Sequence, residues 1–191
     1  MNRALDVALA GAGLILASPI LAAAALAAKL GDGGPVLFRQ TRVGRDGRDF
    51  EMLKLRTMVV GAERIGAGTA VDEGDSRITR VGGLLRRTSI DELPQLWNVL
   101  CGDMSIVGPR PTFRYQVEQY DERQLRRLEV RPGLTGWAQI HGRAALSWPE
   151  RIELDVWYVD NRSARVDLAI LLRTPLALFR GTYRGATGGW R

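Results

Sequence analysis

Residues 7–28, VALAGAGLILASPILAAAALAA, form a run of 22 residues without a charge. Uncharged apolar runs of about 18 or more mark membrane segments, whereas an amphipathic surface helix interrupts such a run with polar residues. As a helix the run covers roughly 33 Å at about 1.5 Å per residue, enough to cross the hydrocarbon core. Three arrangements are open. The segment spans the membrane, or it is a cleaved signal peptide, or it is a helix broken in mid-membrane. For a signal peptide, Arg3 supplies the basic start and Ala22–Ala25 the small residues, while Asp6 and the length argue against it. For a break, Pro19 removes a backbone donor and crowds the Ile15 carbonyl, and the Ser18 hydroxyl can bond back to the helix. Flanking charge bears on the choice: Arg3 lies on one side, and Lys29, Arg39, Arg42 and Arg45 on the other. A single crossing sends one basic flank outward, against the positive-inside tendency; a segment that enters and returns keeps both flanks cytoplasmic.

The remainder fits one domain. Of 191 residues, 46% are apolar and 25% charged, which excludes a disordered tail and a pure membrane bundle. Cys101 is the only cysteine and His141 the only histidine, so disulfide frameworks, cysteine-rich zinc modules and His-rich metal sites are excluded. The net charge of +6 suits polyanions: nucleic acid, an anionic membrane surface or phosphorylated substrates. There are 25 arginines to 2 lysines, a ratio that suits bidentate phosphate binding. A GC-rich genome produces the same excess, so the ratio alone decides nothing.

After the turn-rich Gly31–Pro35, residues 36–43 and 50–55 read as strands flanking Asp46-Gly47, a hairpin signal. Residues 61–76 read as a polar, Gly-rich surface loop, and 77–87 as a short helix. Ser89 and Glu92 fit a capping box, and Asp91 is an alternative N-cap. Either start puts Asp91 in the first turn of a helix reaching about Leu100. Residues 112–130 read as one charged helix, Ser147 and Glu150 as a capping box opening a helix to about Val159, and 166–179 as a last helix. That last helix suits an interfacial position or core packing equally. The expected fold class is α+β, helix-dominated, with a small β-hairpin.

No Gly-rich phosphate loop is present, so phosphate chemistry must use side chains. The densest constellation is Arg86-Arg87-Thr88-Ser89-Ile90-Asp91-Glu92. A carboxylate in a helix's first turn feels the positive dipole end, which favours its ionised form. Such a carboxylate can attack phosphorus, and Mg²⁺ favours a few carboxylate oxygens plus substrate phosphates. A capped helix with acids complementing its dipole accounts for the same residues. Lys54 and Arg56 alternate onto one face of a strand end, two cations aimed together or simply solvated. Gly108-Pro109-Arg110-Pro111 is a rigid turn presenting one arginine, suited to a phosphate contact or a plain loop. His141 reads as a local hydrogen-bonder and Cys101 as a small packing residue.

At these segments the chain resembles the bacterial sugar transferase family, monotopic phosphoglycosyl transferases acting on polyprenyl phosphate. The blocks are Lys54–Met58, Asp91–Leu100, Gly102–Ser105 with Val107–Pro111, Arg131–Gln139 and Glu153–Asp155, together with Ser18-Pro19. The resemblance implies that Asp91 and Glu92 are the catalytic dyad. Asp91 would accept phospho-sugar from a UDP-sugar, releasing UMP, and polyprenyl (undecaprenyl) phosphate would then attack this covalent intermediate with Mg²⁺ present. It further implies that Lys54, Arg56, Arg86, Arg110 and Pro111 bind phosphates or nucleotide, and that Asp91 contacts the metal. Residues 1–30 would form a re-entrant membrane helix broken at Ser18-Pro19, and 31–191 a catalytic domain on the cytoplasmic face of the bacterial inner membrane. The implied partners are anionic lipid and the two substrates, not nucleic acid, with a homodimer left open. The resemblance covers the catalytic core, without the multi-helix extension of larger relatives. Asp155 matches a family position of open role. His141 stands where asparagine is expected, and Leu55 and Thr57 vary the Lys-Phe-Arg-Ser-Met block.

Two other classes compete. A basic anchored module binding nucleic acid or lipid needs charge but not the dyad. A glycosyltransferase moving sugar without its phosphate would release UDP and hold its metal on carboxylates such as Asp72 or Asp75.

Overall fold

The structure, a computed structural model, describes residues 1–65, 74–142 and 146–179. A 30-residue helix, α1 (Arg3–Asp32), is the only one among them long and apolar enough to cross a membrane. It is capped at its start by the Asn2 side chain and ends at Gly33 in the left-handed region, which glycine enters without strain. It runs continuously through Ser18-Pro19, where the sequence leads to a break. The Ile15 carbonyl, deprived of a donor by Pro19, instead accepts from the Ser18 hydroxyl at 2.8 Å.

A hairpin follows, β1 (Leu37–Val43) and β2 (Asp49–Leu55), with Leu37 opposite Leu55 and Val43 opposite Asp49. Its turn places Asp46 and Gly47 at φ of 57° and 73°, the paired left-handed conformations that an Asp-Gly step supports. Next come α2 (Arg80–Arg87), capped by Thr79, and α3 (Gln95–Cys101). A two-stranded parallel sheet pairs β3 (Ser105–Val107) with β4 (Gly133–Thr135). Between them lie α4 (Arg114–Val117) and α5 (Glu122–Leu125), and after them α6 (Trp137–Ile140), α7 (Trp148–Asn161) and α8 (Ala164–Phe179). The Ser147–Glu150 capping box opens α7 as expected. The expected helix over 112–130 is divided, because Asp121 and Gln124 cap each other's backbone and start a new helix there.

Helix α1 packs on the domain along most of its length. Asp6, Ala10, Ala17, Ala24 and Ala28 are buried at helical spacing, and Gly13 lets Leu96 approach closely. Near its start, Arg3 donates to the carbonyls of Val99 and Leu100, where a cation complements the end of α3. The buried Asp6 carboxylate accepts from the Ser105 hydroxyl and the Ile106 N–H at 2.8 and 2.9 Å. Further along, Ala24 joins Leu55 and Leu85 in a second apolar cluster. The opposite face, with Leu5, Leu9, Ile15, Leu16, Ile20, Leu26 and Leu30, is uncovered. On α8, Ile170 is fully buried while Leu168, Leu172 and Leu176 form an exposed stripe, so that helix serves the core and presents an apolar face together.

Asn98 joins α3 to the hairpin. Its side chain accepts from Leu53 N–H at 3.0 Å and donates to the Glu51 carbonyl at 2.7 Å, pairing the edge of β2 that β1 leaves open. Asn98→Ala orphans both backbone groups. We expect it to lower unfolding free energy by about 2–4 kcal/mol, measured by denaturant titration in detergent.

Candidate active site

Three segments converge. Lys54 is the penultimate residue of β2; Asp91 and Glu92 lie on the short 3₁₀ turn Ile90–Glu92; Arg110 projects from the loop after β3. The spacing of Ser89 and Glu92 suggests the first turn of an α-helix, but the dyad does not lie in one. Helix α3 starts only at Gln95, behind Pro94, and Ser89 makes no side-chain cap. The Glu92 carboxylate is engaged elsewhere. It accepts from Lys54 Nζ at 3.0 Å and from both Nη atoms of Arg110, so it is not available to cap Ser89. Ser89 itself adopts φ 56°, an uncommon left-handed conformation for a side-chain-bearing residue, directly before the dyad.

The two carboxylates have opposite environments. Burial pushes the Glu92 carboxyl upward, but the charges and hydrogen bonds of Arg110 and Lys54 outweigh it and hold the group well below the usual range. Asp91 is 7% exposed, and its carboxylate has no hydrogen bond or ion pair among the described residues. Burial, then the neighbouring Glu92 charge, raise its pKa to about 6 against the pull of Lys54, Arg86 and Arg110. The dipole argument from sequence therefore has the wrong sign here: desolvation dominates. Arg86 is aimed by its bond to the Thr57 hydroxyl at 2.7 Å. Helix α2 can carry it there because Gly82 lies against the Thr57 carbonyl, where a Cβ would come within 1.9 Å.

Arg56 does not join Lys54. Strand β2 ends at Leu55, so alternation no longer governs the next residue, and the Arg56 guanidinium donates to the Pro35 carbonyl. The Pro111 carbonyl accepts from Arg42, whose guanidinium also stacks 3.4 Å above the Phe113 ring. Arg42 and Lys54 share one hairpin face, since their cross-strand partners are Phe50 and Phe38. His141 bonds the Trp137 carbonyl and packs on its ring, a local role. Asp75 is occupied by a bidentate pairing with buried Arg77, which removes it as a sugar-transfer metal ligand; Asp72 lies outside the described residues. Asn98 and Arg42 were missed from sequence. A polar residue amid the apolar stretch Leu96–Leu100 of α3 is the signal for Asn98.

Among the described residues, no three His, Cys, Asp or Glu side chains gather as a protein-made metal cage. An unpaired carboxylate still fits Mg²⁺, which takes few protein oxygens and shares substrate phosphates.

The described residues thus hold a free buried carboxylate, a second carboxylate held by two cations, and an apolar helix with one face uncovered. The chain belongs to the bacterial sugar transferase family, whose sequence profile matches residues 1–181. It is 53% identical over 142 residues to an uncharacterized sugar transferase of Bacillus subtilis, covering 74% of this chain and 69% of that protein. It is similar to the UDP-glucose:undecaprenyl-phosphate glucose-1-phosphate transferases of Caulobacter vibrioides and Escherichia coli. Identity to the first is 48%, with 91% of this chain and 67% of that protein covered. Identity to the second is 44%, with 95% and 40% covered, so the chain spans well under half of that relative.

The raised Asp91 pKa predicts a stability gain on substitution. The unfolded group titrates near 3.8 and the folded one near 6, so folding stability is full below pH 4 and declines as pH rises to about 6. Asp91→Asn removes that penalty. Its melting temperature should exceed the parent's by several degrees at pH 8, corresponding to about 2–3 kcal/mol, and match it near pH 4.

Proposed function

We propose that the protein transfers a sugar 1-phosphate from a UDP-sugar to undecaprenyl phosphate, releasing UMP. The observation that carries this reading is the unpaired, buried Asp91 carboxylate beside a Glu92 already neutralised by Lys54 and Arg110. A carboxylate stripped of hydrogen-bond partners is a stronger nucleophile than a paired one. Asp91 attacks the phosphorus bearing the sugar; its oxygen–phosphorus bond forms as the pyrophosphate bond to UMP breaks, and UMP leaves with the electron pair. An oxygen of the lipid phosphate then attacks the same phosphorus, and the Asp91 carboxylate departs. Lys54, Arg86 and Arg110 spread the charge that develops on the transferring phosphoryl group. Mg²⁺, held by Asp91 and the pyrophosphate oxygens, would neutralise the donor's charge when bound.

The same reading places the domain on the cytoplasmic face of the inner membrane, with α1 entering and returning. Support comes from the domain's contacts with both halves of α1, from Asp6 to Ala28. A helix so attached at both ends cannot cross upright without drawing the domain into lipid. The helix is continuous through Ser18-Pro19, but that step lacks one helical hydrogen bond and is where a returning path would bend. The exposed leucines of α8 then lie at the interface with α1's uncovered face.

The expected result with purified protein, undecaprenyl phosphate, Mg²⁺ and a panel of UDP-sugars is UMP from one donor. That release should disappear in Asp91→Asn, and UDP as the product would overturn the reading. Because attack needs ionised Asp91, the parent's turnover should fall about tenfold per pH unit below pH 6. Cysteines introduced at positions 2 and 31 should both be labelled from the cytoplasmic side of oriented vesicles; labelling from opposite sides would mean a spanning helix.

A further inference from the structure

The loop carrying Arg110 is held at four consecutive carbonyls by four different donors. Pro109 accepts from Gly133 N–H at 2.8 Å and Arg110 from Arg127 Nη2 at 2.9 Å. Pro111 accepts from Arg42 at 3.3 Å, and Thr112 from Val43 N–H at 2.9 Å. One of these anchors, Arg127, is a buried charge, 4% exposed. Its other bonds fix it from behind. Nη2 also pairs with Asp155 of α7 at 2.6 Å, and Nη1 donates to the Tyr120 hydroxyl at 2.5 Å. That hydroxyl donates in turn to Thr112 Oγ1 at 3.2 Å, two residues beyond Arg110.

We infer that Asp155 and Arg127 are positioning residues, which set the Arg110 guanidinium for phosphate by gripping its backbone carbonyl and the Thr112 hydroxyl beyond it. The inference rests on the phosphate-binding role given to Arg110 above. Stability alone is a poor reason for this pair. Buried ion pairs contribute little over well-packed apolar side chains, and here Asp155 Oδ1 and Arg127 Nε have no partner among the described residues. What the planar fork of Arg127 does provide is direction: it serves a carboxylate, a hydroxyl and a loop carbonyl together, which a lysine ammonium on a flexible stem does not reproduce. Asp155 holds the Arg127 guanidinium through a buried ion pair at 2.6 Å. Proline on both sides of Arg110 transmits the restraint, because neither neighbour can rotate about φ to absorb a displaced carbonyl. The grip reaches the site through one residue: Arg110 then meets Glu92 on the opposite side of the loop.

The test is a double-mutant cycle read on UDP affinity by calorimetry with full-length protein in detergent. Arg127→Lys and Asp155→Asn should each weaken UDP binding roughly tenfold or more when Arg110 is present, since misplacement by about 1 Å is costly at a charged site. In an Arg110→Ala background the same substitutions should change affinity by less than about twofold, because the residue they position is gone. Equal losses in both backgrounds would overturn the inference and assign the pair a structural role. Should either charge substitution prevent folding, Tyr120→Phe removes only the hydroxyl link to Thr112 and is carried through the same cycle, with the same two outcomes. If the unsubstituted protein does not bind UDP, the nucleotide-sugar reading fails instead. The cycle is then read with inorganic pyrophosphate, which Arg110 and Lys54 still meet.

Discussion

The convergence of Lys54 and Arg110 on Glu92 is the interaction around which the site is arranged. It ties together a hairpin strand, the turn that follows α2 and the loop after β3, which are far apart in the chain. Two cations brought this close repel unless an anion lies between them, and Glu92 is that anion. By absorbing them it leaves Asp91 without a partner, raised in pKa and poised between its protonated and ionised forms.

The site's attachment to the long apolar helix follows from how α1 packs. Its buried stripe is built from alanine, glycine and one aspartate, so the helix lies close against α3 and the hairpin while its leucines face outward. Asp6 binds β3, the strand that leads directly into the Arg110 loop, and Ala24 meets Leu55, one residue after Lys54. Lys54 and Arg110, the two cations that meet Glu92, are thus borne by segments in contact with α1.

Local signals in the chain read accurately where the physics is local. The Asp46-Gly47 turn, the Ser147 cap of α7, the apolar run of α1 and the bland role of His141 depend on neighbours within a few residues. Readings failed where a distant group competed. Ser89 and Glu92 have the spacing of a capping box, but Lys54 and Arg110 take the Glu92 carboxylate. Arg56 has the alternation of a co-directed cation, but Pro35 takes its guanidinium. The 112–130 segment has helical composition, yet Asp121 restarts it and Arg127 turns inward to Asp155.

By itself the sequence determined the long apolar helix, the helix-dominated class and the family, because these follow from runs and blocks written contiguously. Only the tertiary structure decided which carboxylate is free and which is neutralised, that Asp91 is raised and not lowered in pKa, and that Arg127 joins Asp155 to the Arg110 carbonyl. Those properties depend on desolvation and on charges from segments separated by dozens of residues, and neither is encoded in the spacing of any one motif.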